Sequence, residues 1–485
     1  MSSVIEGLEP NSVWKYFAEI SQIPRGSKNE KAIAEYVIDT AKRLGLVAKQ
    51  DKTGNIVVKK PAHPSYTHVR SMALQGHLDM VCEKNTDTIH DFTKDPIELV
   101  RKGNVLMANG TTLGADNGIA VATNLAIMED KSIEHGPLEL LFTVDEETGL
   151  TGAQSLTSDF LESKTLMNLD SEEEGALYVG CSGGRDTLAT FNISFENVPK
   201  NSIAAYLSVR GLKGGHSGLE IDKNRGNAIK ILNRVLMRMT ELSMRLSRLA
   251  GGNKRNAIPR ECQALVFIPK AKLTEAYKLV KEMQETIKAE ISSVDPDLMI
   301  TMVETSIERN IKVIRKTQQR QLNSAISALP HGVLKMSSDI PGLVETSTNV
   351  AVINTTKKAI VIATSQRSSV ASELNEAVET VNVILALAGA KVESTDGYPG
   401  WKPNLNSPIL KTAKETYQSL YGKEPEVKAI HAGLECGIIG EKFPRMDMVS
   451  FGPTLEGVHS PDEKIYIDTV EKFWKFLLAI LKNVN

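Results

Sequence analysis

The 485-residue chain carries 57 Lys and Arg against 59 Asp and Glu, a formal net charge of −2, with 41% hydrophobic and 24% charged residues. That length exceeds one simple core and predicts two or more domains, while the near-neutral charge argues against nucleic acid as a partner, which asks for a basic surface. No run reaches the roughly 20 apolar residues of a membrane helix, no secretory leader is visible, and Cys82, Cys181, Cys262 and Cys436 form neither a CxxC pair nor zinc-finger spacing, so a cytoplasmic protein with reduced thiols and no membrane contact is expected.

The first 60 residues predict two helices and a hairpin. Ser27 and Glu30 have capping-box spacing. Apolar Ile33, Ala34, Val37, Ala41 and Leu44 recur at helical intervals, and Gly45 stands where such a helix ends. Residues 47–50 and 56–58 read as short strands about Thr53-Gly54-Asn55. An α/β pattern follows, with imidazole or acidic residues where its apolar runs stop. Run 72–74 leads into His77, Asp116-Asn117-Gly118 opens the apolar helix 119–128, run 138–144 stops at Asp145, and run 166–169 stops at Asp170. Ligands of open α/β sheets gather at the carboxyl ends of strands.

Cys181-Ser182-Gly183-Gly184 reads as a linker. Beyond it the texture is α+β, with strands at 204–209, 264–268, 298–303, 349–353 and 359–364 and helices at 227–246, 274–291, 318–328 and 371–387. Its two similar sets of elements suggest two stacked subdomains. From about residue 397 the α/β texture returns, with helix 409–420, strands 427–430 and 448–451, and a closing helix 470–481. The expected fold class is α/β: a discontinuous catalytic domain (1–186 and 397–485) with a mixed sheet flanked by helices, and a large inserted α+β domain (187–396).

The chemistry concentrates in five segments: Gly76-His77-Leu78-Asp79, Gly114-Ala115-Asp116-Asn117-Gly118, Asp145-Glu146-Glu147-Thr148-Gly149, Asn168-Leu169-Asp170 and Val458-His459-Ser460-Pro461-Asp462-Glu463. Their imidazoles and carboxylates are the inventory that two divalent metals sharing one bridging carboxylate require. A lone His77 reads as structural. Asp79 changes that, because on an extended segment it points the same way and supplies the carboxylate that a ligating His usually bonds. Asp116 suits a helix N-cap, and among these neighbours it suits a bridging ligand. Adjacent Glu146 and Glu147 do not easily bind one ion from one face, so one ligand and one free base is the economical division. Asp170 heads the acidic run Ser171-Glu172-Glu173-Glu174, which otherwise reads as solvated surface. Two zinc ions would be balanced by Asp116, Glu147, Asp170 and one hydroxide, the near-neutral set a partly buried cleft tolerates. Gly215-His216-Ser217 reads on its own as a turn histidine. Asn256 and Arg367 carry weaker signals, although a substrate with a free carboxylate needs an amide or guanidinium donor.

In this order the segments resemble the co-catalytic zinc peptidase family of aminoacylases, carboxypeptidase G-type enzymes and bacterial dipeptidases. Longer stretches are similar to its aminoacyl-histidine dipeptidase (Xaa-His dipeptidase, bacterial carnosinase) group. These include Phe92-Thr93-Lys94-Asp95-Pro96, Arg255 to Glu261 and His431-Ala432-Gly433-Leu434-Glu435-Cys436-Gly437. Asn117, where many members carry Lys, is that group's form. The resemblance implies two Zn2+, with Co2+ or Mn2+ as substitutes. His77 and Asp170 would hold one ion, Glu147 and His459 the other, with Asp116 bridging. It implies Glu146 as general base and Asp79 as orienter of His77. His216 would reach from the inserted lid to stabilise an oxyanion, and Asn256 and Arg367 would bind the substrate's backbone or carboxylate. A cis bond between Asp116 and Asn117 is implied too. The implied substrates are unblocked dipeptides, Xaa-His such as β-alanyl-histidine above all, and the implied state is a monomer or homodimer. Three rivals stand beside this: an aminoacylase on N-acyl amino acids, another two-metal hydrolase such as a phosphodiesterase, and a non-catalytic metal-binding protein. The phosphodiesterase lacks its phosphate-cradling glycine loop or arginine cluster, and an intact Glu146 weighs against the last.

Overall fold

Apolar runs broken by turn residues become a mixed sheet in one part of the chain and an antiparallel sheet in the other. The structure, a computed structural model, describes residues 3–306 and 310–484. It divides into two units: the residues up to Gly180, Trp401–Ala429 and those from Leu434 on, and then Cys181–Gly400 with Ile430–Gly433.

The first unit holds an eight-stranded sheet in the order Val47–Gln50, Ile56–Lys60, Leu138–Thr143, Met72–His77, Thr165–Asn168, Asp447–Ser450, Ala176–Cys181, Glu426–Ile430. The hairpin at the edge is antiparallel. The next four strands run parallel. Such strands are covered on both faces, which is why they read as continuous apolar runs, and every residue of Met72–His77 and Leu138–Thr143 is buried. Asp447–Ser450 enters this sheet beside Thr165–Asn168 from nearly 300 residues further along the chain. Helix Ala115–Glu129 is buried from Asn117 through Met128, as an all-round apolar core helix must be, and packs on strand Met72–His77 and helix Asn11–Ile20. A side chain at Gly76 would place its Cβ 2.5 Å from Asn117 Oδ1 and 2.6 Å from Ala120 Cβ; only glycine permits that approach.

In the second unit one antiparallel sheet of nine strands takes in every strand expected there, while Phe195–Asn197 pairs with Lys312–Ile314 and Gly215–His216 with Ala257–Ile258 outside it. Its order is Met299–Glu304, Ser202–Arg210, Cys262–Pro269, Arg245–Gly251, Val344–Thr355, Ala359–Ser368, Gly183–Asn192, Lys391–Ser394, with Gly332–Met336 paired to Val344–Thr355. The two similar sets of elements therefore share a single sheet. Leu232 and Leu236 of helix Ala228–Met239 join Leu207, Val266, Val350 and Ile362 of the sheet in one core. Among the described residues, no helix is long and apolar enough to cross a membrane.

Three local expectations are corrected. The helix expected over 227–246 ends at Met239. Ser243 takes a left-handed φ of 60°, and Arg245–Gly251 continues as a strand. The apparent linker at 181–184 leads straight into strand Gly183–Asn192. The capping box at Ser27 does not form. Ser27 Oγ donates instead to Asp79 Oδ2 at 2.8 Å, and Glu30 Oε1 accepts from the backbone N–H of Lys28 (2.8 Å) and Asp145 (3.0 Å).

Candidate metal centre

His77 closes its strand with a buried ring. Its Nε2 lies 3.1 Å from Asp116 Oδ1 and 3.4 Å from Asp170 Oδ1. Asp116 turns its other oxygen, Oδ2, to His459 Nε2 at 3.1 Å, and that nitrogen is also 3.0 Å from Glu147 Oε2. Asp116 thus lies between two imidazoles with one carboxylate oxygen toward each. Among the described residues, His77–Asp116–Asp170, Asp116–Glu147–His459 and His77–Glu146–Glu147 each bring three ligand atoms within 4.8 Å of one another. The last group qualifies the sequence argument: adjacent Glu146 and Glu147 do approach the same imidazole, and it is the His459 contact that distinguishes Glu147.

Each of these side chains is held by a partner of known geometry. Asp79 stands beyond the strand end, with Oδ1 3.3 Å from His77 Nδ1. The same carboxylate accepts the backbone N–H of Glu146 at 3.0 Å and of Glu147 at 3.2 Å, so one residue orients both the imidazole and the acidic turn. The Asp116–Asn117 bond is cis. Asn117 Oδ1 accepts from His77 N–H at 3.2 Å, and its amide donates to Leu169 O at 3.0 Å. Glu463, buried, accepts the backbone N–H groups of Leu113 (2.7 Å), Gly114 (2.9 Å), Ala115 (2.8 Å) and Asp116 (3.3 Å). Gly114 has a left-handed φ of 68°, and a Cβ there would lie 2.6 Å from Arg25 Nη2. Buried Arg25 donates to Leu78 O and Asp79 O, each at 3.0 Å, and to Gly114 O. No local sequence signal marks Arg25, Glu463, Gln75, Asn168 or Glu435 as a site residue: Glu463 and Glu435 lie close to His459 and Cys436 in conspicuous motifs, but nothing local separates them from surface acids.

The electrostatics are those of a site with excess carboxylate. Burial disfavours charge on His77, but Asp170, Asp116 and Asp79 outweigh it and hold the ring well above the ordinary histidine value. Hydrogen bonds to Asp116 and Glu147 push His459 up to about 11. Burial pushes Asp170 up to about 6, with His77 opposing. Burial also holds Glu146 well above the usual carboxylate range, with Asp170, Glu435 and Glu147 adding to it. Glu435 rises to about 7 from burial. Asp170 Oδ1 and Glu147 Oε1 are buried with no hydrogen-bond partner. Buried polar atoms are normally satisfied, and oxygens left without a donor, among imidazoles and further carboxylates, suit a divalent cation with mixed N and O ligands.

His216, Asn256 and Arg367 belong to the second unit. His216 lies in a short strand paired to Ala257–Ile258, beside Asn256. Its Nδ1 accepts from the N–H of Gly218 (3.2 Å) and Leu219 (3.1 Å), so a neutral ring carries its hydrogen on Nε2. Asn256 is exposed. Arg367 is buried, with Nη1 donating to Tyr398 Oη at 2.8 Å and Nε without a hydrogen-bond partner.

Residues 73–483 match the family described as Peptidase family M20/M25/M40. The chain is 42% identical over 483 residues, 99% of either chain, to the cytosol non-specific dipeptidase of Escherichia coli strain K12. The crystal structure of the aminoacylhistidine dipeptidase of Vibrio alginolyticus superposes with a TM-score of 0.92 at 42% identity, covering 100% of this chain and 99% of that one. The aminopeptidase PepT of Bacillus cereus shares the fold, with a TM-score of 0.58 at 17% identity over 98% of this chain and 99% of that one.

Proposed function

The chain belongs to peptidase family M20/M25/M40, and from that premise we propose a cytoplasmic, two-zinc dipeptidase acting on unblocked dipeptides, with Xaa-His such as β-alanyl-histidine preferred. One observation carries this reading: Asp116 divides its two oxygens between His77 and His459, while the flanking carboxylates of Asp170 and Glu147 each keep a buried oxygen without a donor. His77 and Asp170 would hold one Zn2+, and Glu147 and His459 the other, with Asp116 common to both; Co2+ or Mn2+ suits the same donors. The substrate class comes from the dipeptidase relatives.

When bound, the ions supply Lewis acidity toward the scissile carbonyl and bring the pKa of water down to about 7. The chain's own residues do the rest. Glu146, its carboxyl raised by burial above the usual carboxylate range, takes a proton from the attacking water and delivers it to the leaving amine. Asp79 keeps His77 in one tautomer and the Glu146 backbone in place. In the second unit, taken as a lid, the Nε2–H of His216 is the donor for the developing oxyanion. Arg367 offers its guanidinium to the substrate carboxylate, and Asn256 its amide to the substrate backbone.

The test is hydrolysis of β-alanyl-histidine and glycyl-histidine beside N-acetyl-histidine, by chelated and by zinc-reloaded protein. Zinc-dependent cleavage of the free dipeptides alone is expected. Cleavage of the acetylated compound alone would make the protein an aminoacylase, and two bound metals with no cleavage would reduce it to a metal-binding protein.

A further inference from the structure

The motif His431-Ala432-Gly433-Leu434-Glu435-Cys436-Gly437 contains a carboxylate that the mechanism above does not use. Glu435 opens helix Glu435–Lys442 in the first unit and has no solvent exposure. Its Oε2 accepts from Gln75 Nε2 at 2.5 Å and from Thr143 Oγ1 at 2.7 Å. Gln75 passes the connection on: its Oε1 accepts from Asn168 Nδ2 at 2.5 Å. Asn168 Oδ1 accepts from Ser450 Oγ at 2.5 Å and from the backbone N–H of Asp170 at 3.3 Å. Ser450 and Ser171 share a hydroxyl–hydroxyl bond of 2.6 Å. This buried chain crosses the four adjacent parallel strands at the ends that carry the candidate ligands.

The spacing gives the chain a direction. Gln75 precedes His77 by two residues and Asn168 precedes Asp170 by two, one pleat repeat in each strand. Gln75 and Asn168 are paired in register. Neither His459 nor Glu147 makes a hydrogen bond within this chain. Among charged groups, His77, Asp170 and Asp79 act most strongly on the Glu435 carboxyl, and Glu435 in turn raises that of Glu146. A carboxylate buried among neutral amides and hydroxyls is costly unless an opposite charge compensates it. The helix N-terminus contributes a little, and a cation held by His77 and Asp170 would contribute more and favour the ionised form. The two oxygens are used unequally: Oε2 takes both hydrogen bonds, whereas Oε1 is buried without one. Glutamine could therefore keep both accepted bonds and lose only the charge.

We propose that Glu435 is a positioning residue for the metal centre, a buried anion that braces the strand ends bearing His77 and Asp170 and strengthens cation binding on that side of Asp116 rather than on the His459 and Glu147 side. The inference rests on the two-metal reading given under Proposed function, but its readout is metal binding and does not depend on turnover.

The experiment is a chelator-competition titration of Zn2+ in the wild type and in Glu435→Gln, with the thermal midpoint of the metal-free proteins as the control for folding. Partners that orient metal ligands typically govern about 10–100-fold in affinity. Glu435→Gln should weaken one of two ions by about that factor, leave the other within about 3-fold, and leave the metal-free midpoint nearly unchanged. The effect should persist in a His459→Ala background, which retains His77 and Asp170, and vanish in His77→Ala. Thr143→Val, which removes the hydrogen bond to Glu435 and the one that Thr143 Oγ1 accepts from Gln75 but leaves the charge, should change affinity by less than about 3-fold; this variant keeps the test open should Glu435→Gln fail to fold, since a larger loss would make the hydrogen bonds, not the charge, responsible. Unchanged affinities in Glu435→Gln, or an equal loss at both ions with a lowered midpoint, would overturn the proposal. A wild type that binds two ions but cleaves no dipeptide leaves it standing and defeats only the activity. A wild type that binds no pair of ions defeats both.

Discussion

Glu146 and Glu147 are neighbours in the chain and unlike in their surroundings. Both backbone N–H groups are held by the Asp79 carboxylate, so neither residue can swing independently of the group that orients His77. Glu147 then meets His459 at 3.0 Å. Glu146 is raised by burial and by the carboxylates of Asp170, Glu435 and Glu147. A carboxyl so perturbed, outside the contacts that join Asp116 to both imidazoles, suits proton transfer better than ligation. Glu146→Gln should therefore lower kcat on a free dipeptide by about 10²–10⁴-fold, while metal analysis still finds two ions per chain. Turnover within about 10-fold of wild type would remove Glu146 from the role of base.

The strap formed by residues 113–116 shows how an element is positioned from a distance. Four successive N–H groups point at one side chain, Glu463, which is 347 to 350 positions away in sequence. Arg25 holds the opposite side of the strap through Gly114 O, and anchors Leu78 and Asp79 with the same guanidinium. The strap delivers Asp116, and Glu463 follows His459 by four residues, so one carboxylate couples the positions of two candidate ligands. Glu463→Ala would leave four N–H groups without their acceptor. Each such buried group costs about 1–3 kcal/mol, and a loss of at least about 3 kcal/mol is expected in urea unfolding of the metal-free protein. Weaker zinc retention in the folded variant should accompany it. An unchanged unfolding midpoint would show that the strap holds its shape without Glu463.

On the scale of the whole molecule, the second unit has its own sensitivity to acid. His431 is buried there, with Nε2 2.7 Å from Ser347 Oγ. Burial, with Arg367 and His216 adding to it, pushes its ring down to about 3. An unfolded chain takes that proton near pH 6.5. Between those values the unfolded state binds more protons than the folded one, so stability falls as pH falls below about 6.5. The loss reaches about 2 kcal/mol by pH 5, at about 1.4 kcal/mol per pH unit. Unfolding free energies from urea titration near pH 7 and pH 5 should differ by that much more in the wild type than in His431→Gln. Equal pH dependence in the two proteins would mean that the fold leaves the His431 ring at its unfolded value.

Much of this architecture is legible without coordinates, for an identifiable reason. Parallel strands covered on both faces must be continuous apolar runs, so Met72–His77, Leu138–Thr143 and Thr165–Asn168 stand out locally. The residues His77, Asp145 and Asp170 stand out because the runs stop at them. Patterns failed where local spacing has two solutions: Ser27 had a helix to cap and a buried carboxylate to bond, and Asp79 won. The helix expected through residue 246 failed at Ser243, whose backbone reverses before an alternating strand begins. The sequence by itself thus determined most of the elements, the family to which the chain belongs and the residue types available for chemistry, because those follow from periodicity and short motifs. Only the tertiary structure decided that Asp116 lies between His77 and His459, that Arg25 and Glu463 hold it there, and that Glu435 reaches Gln75 across 360 positions. Those contacts join segments with no local pattern in common, and burial alone distinguishes the acids that make them from acids on the surface.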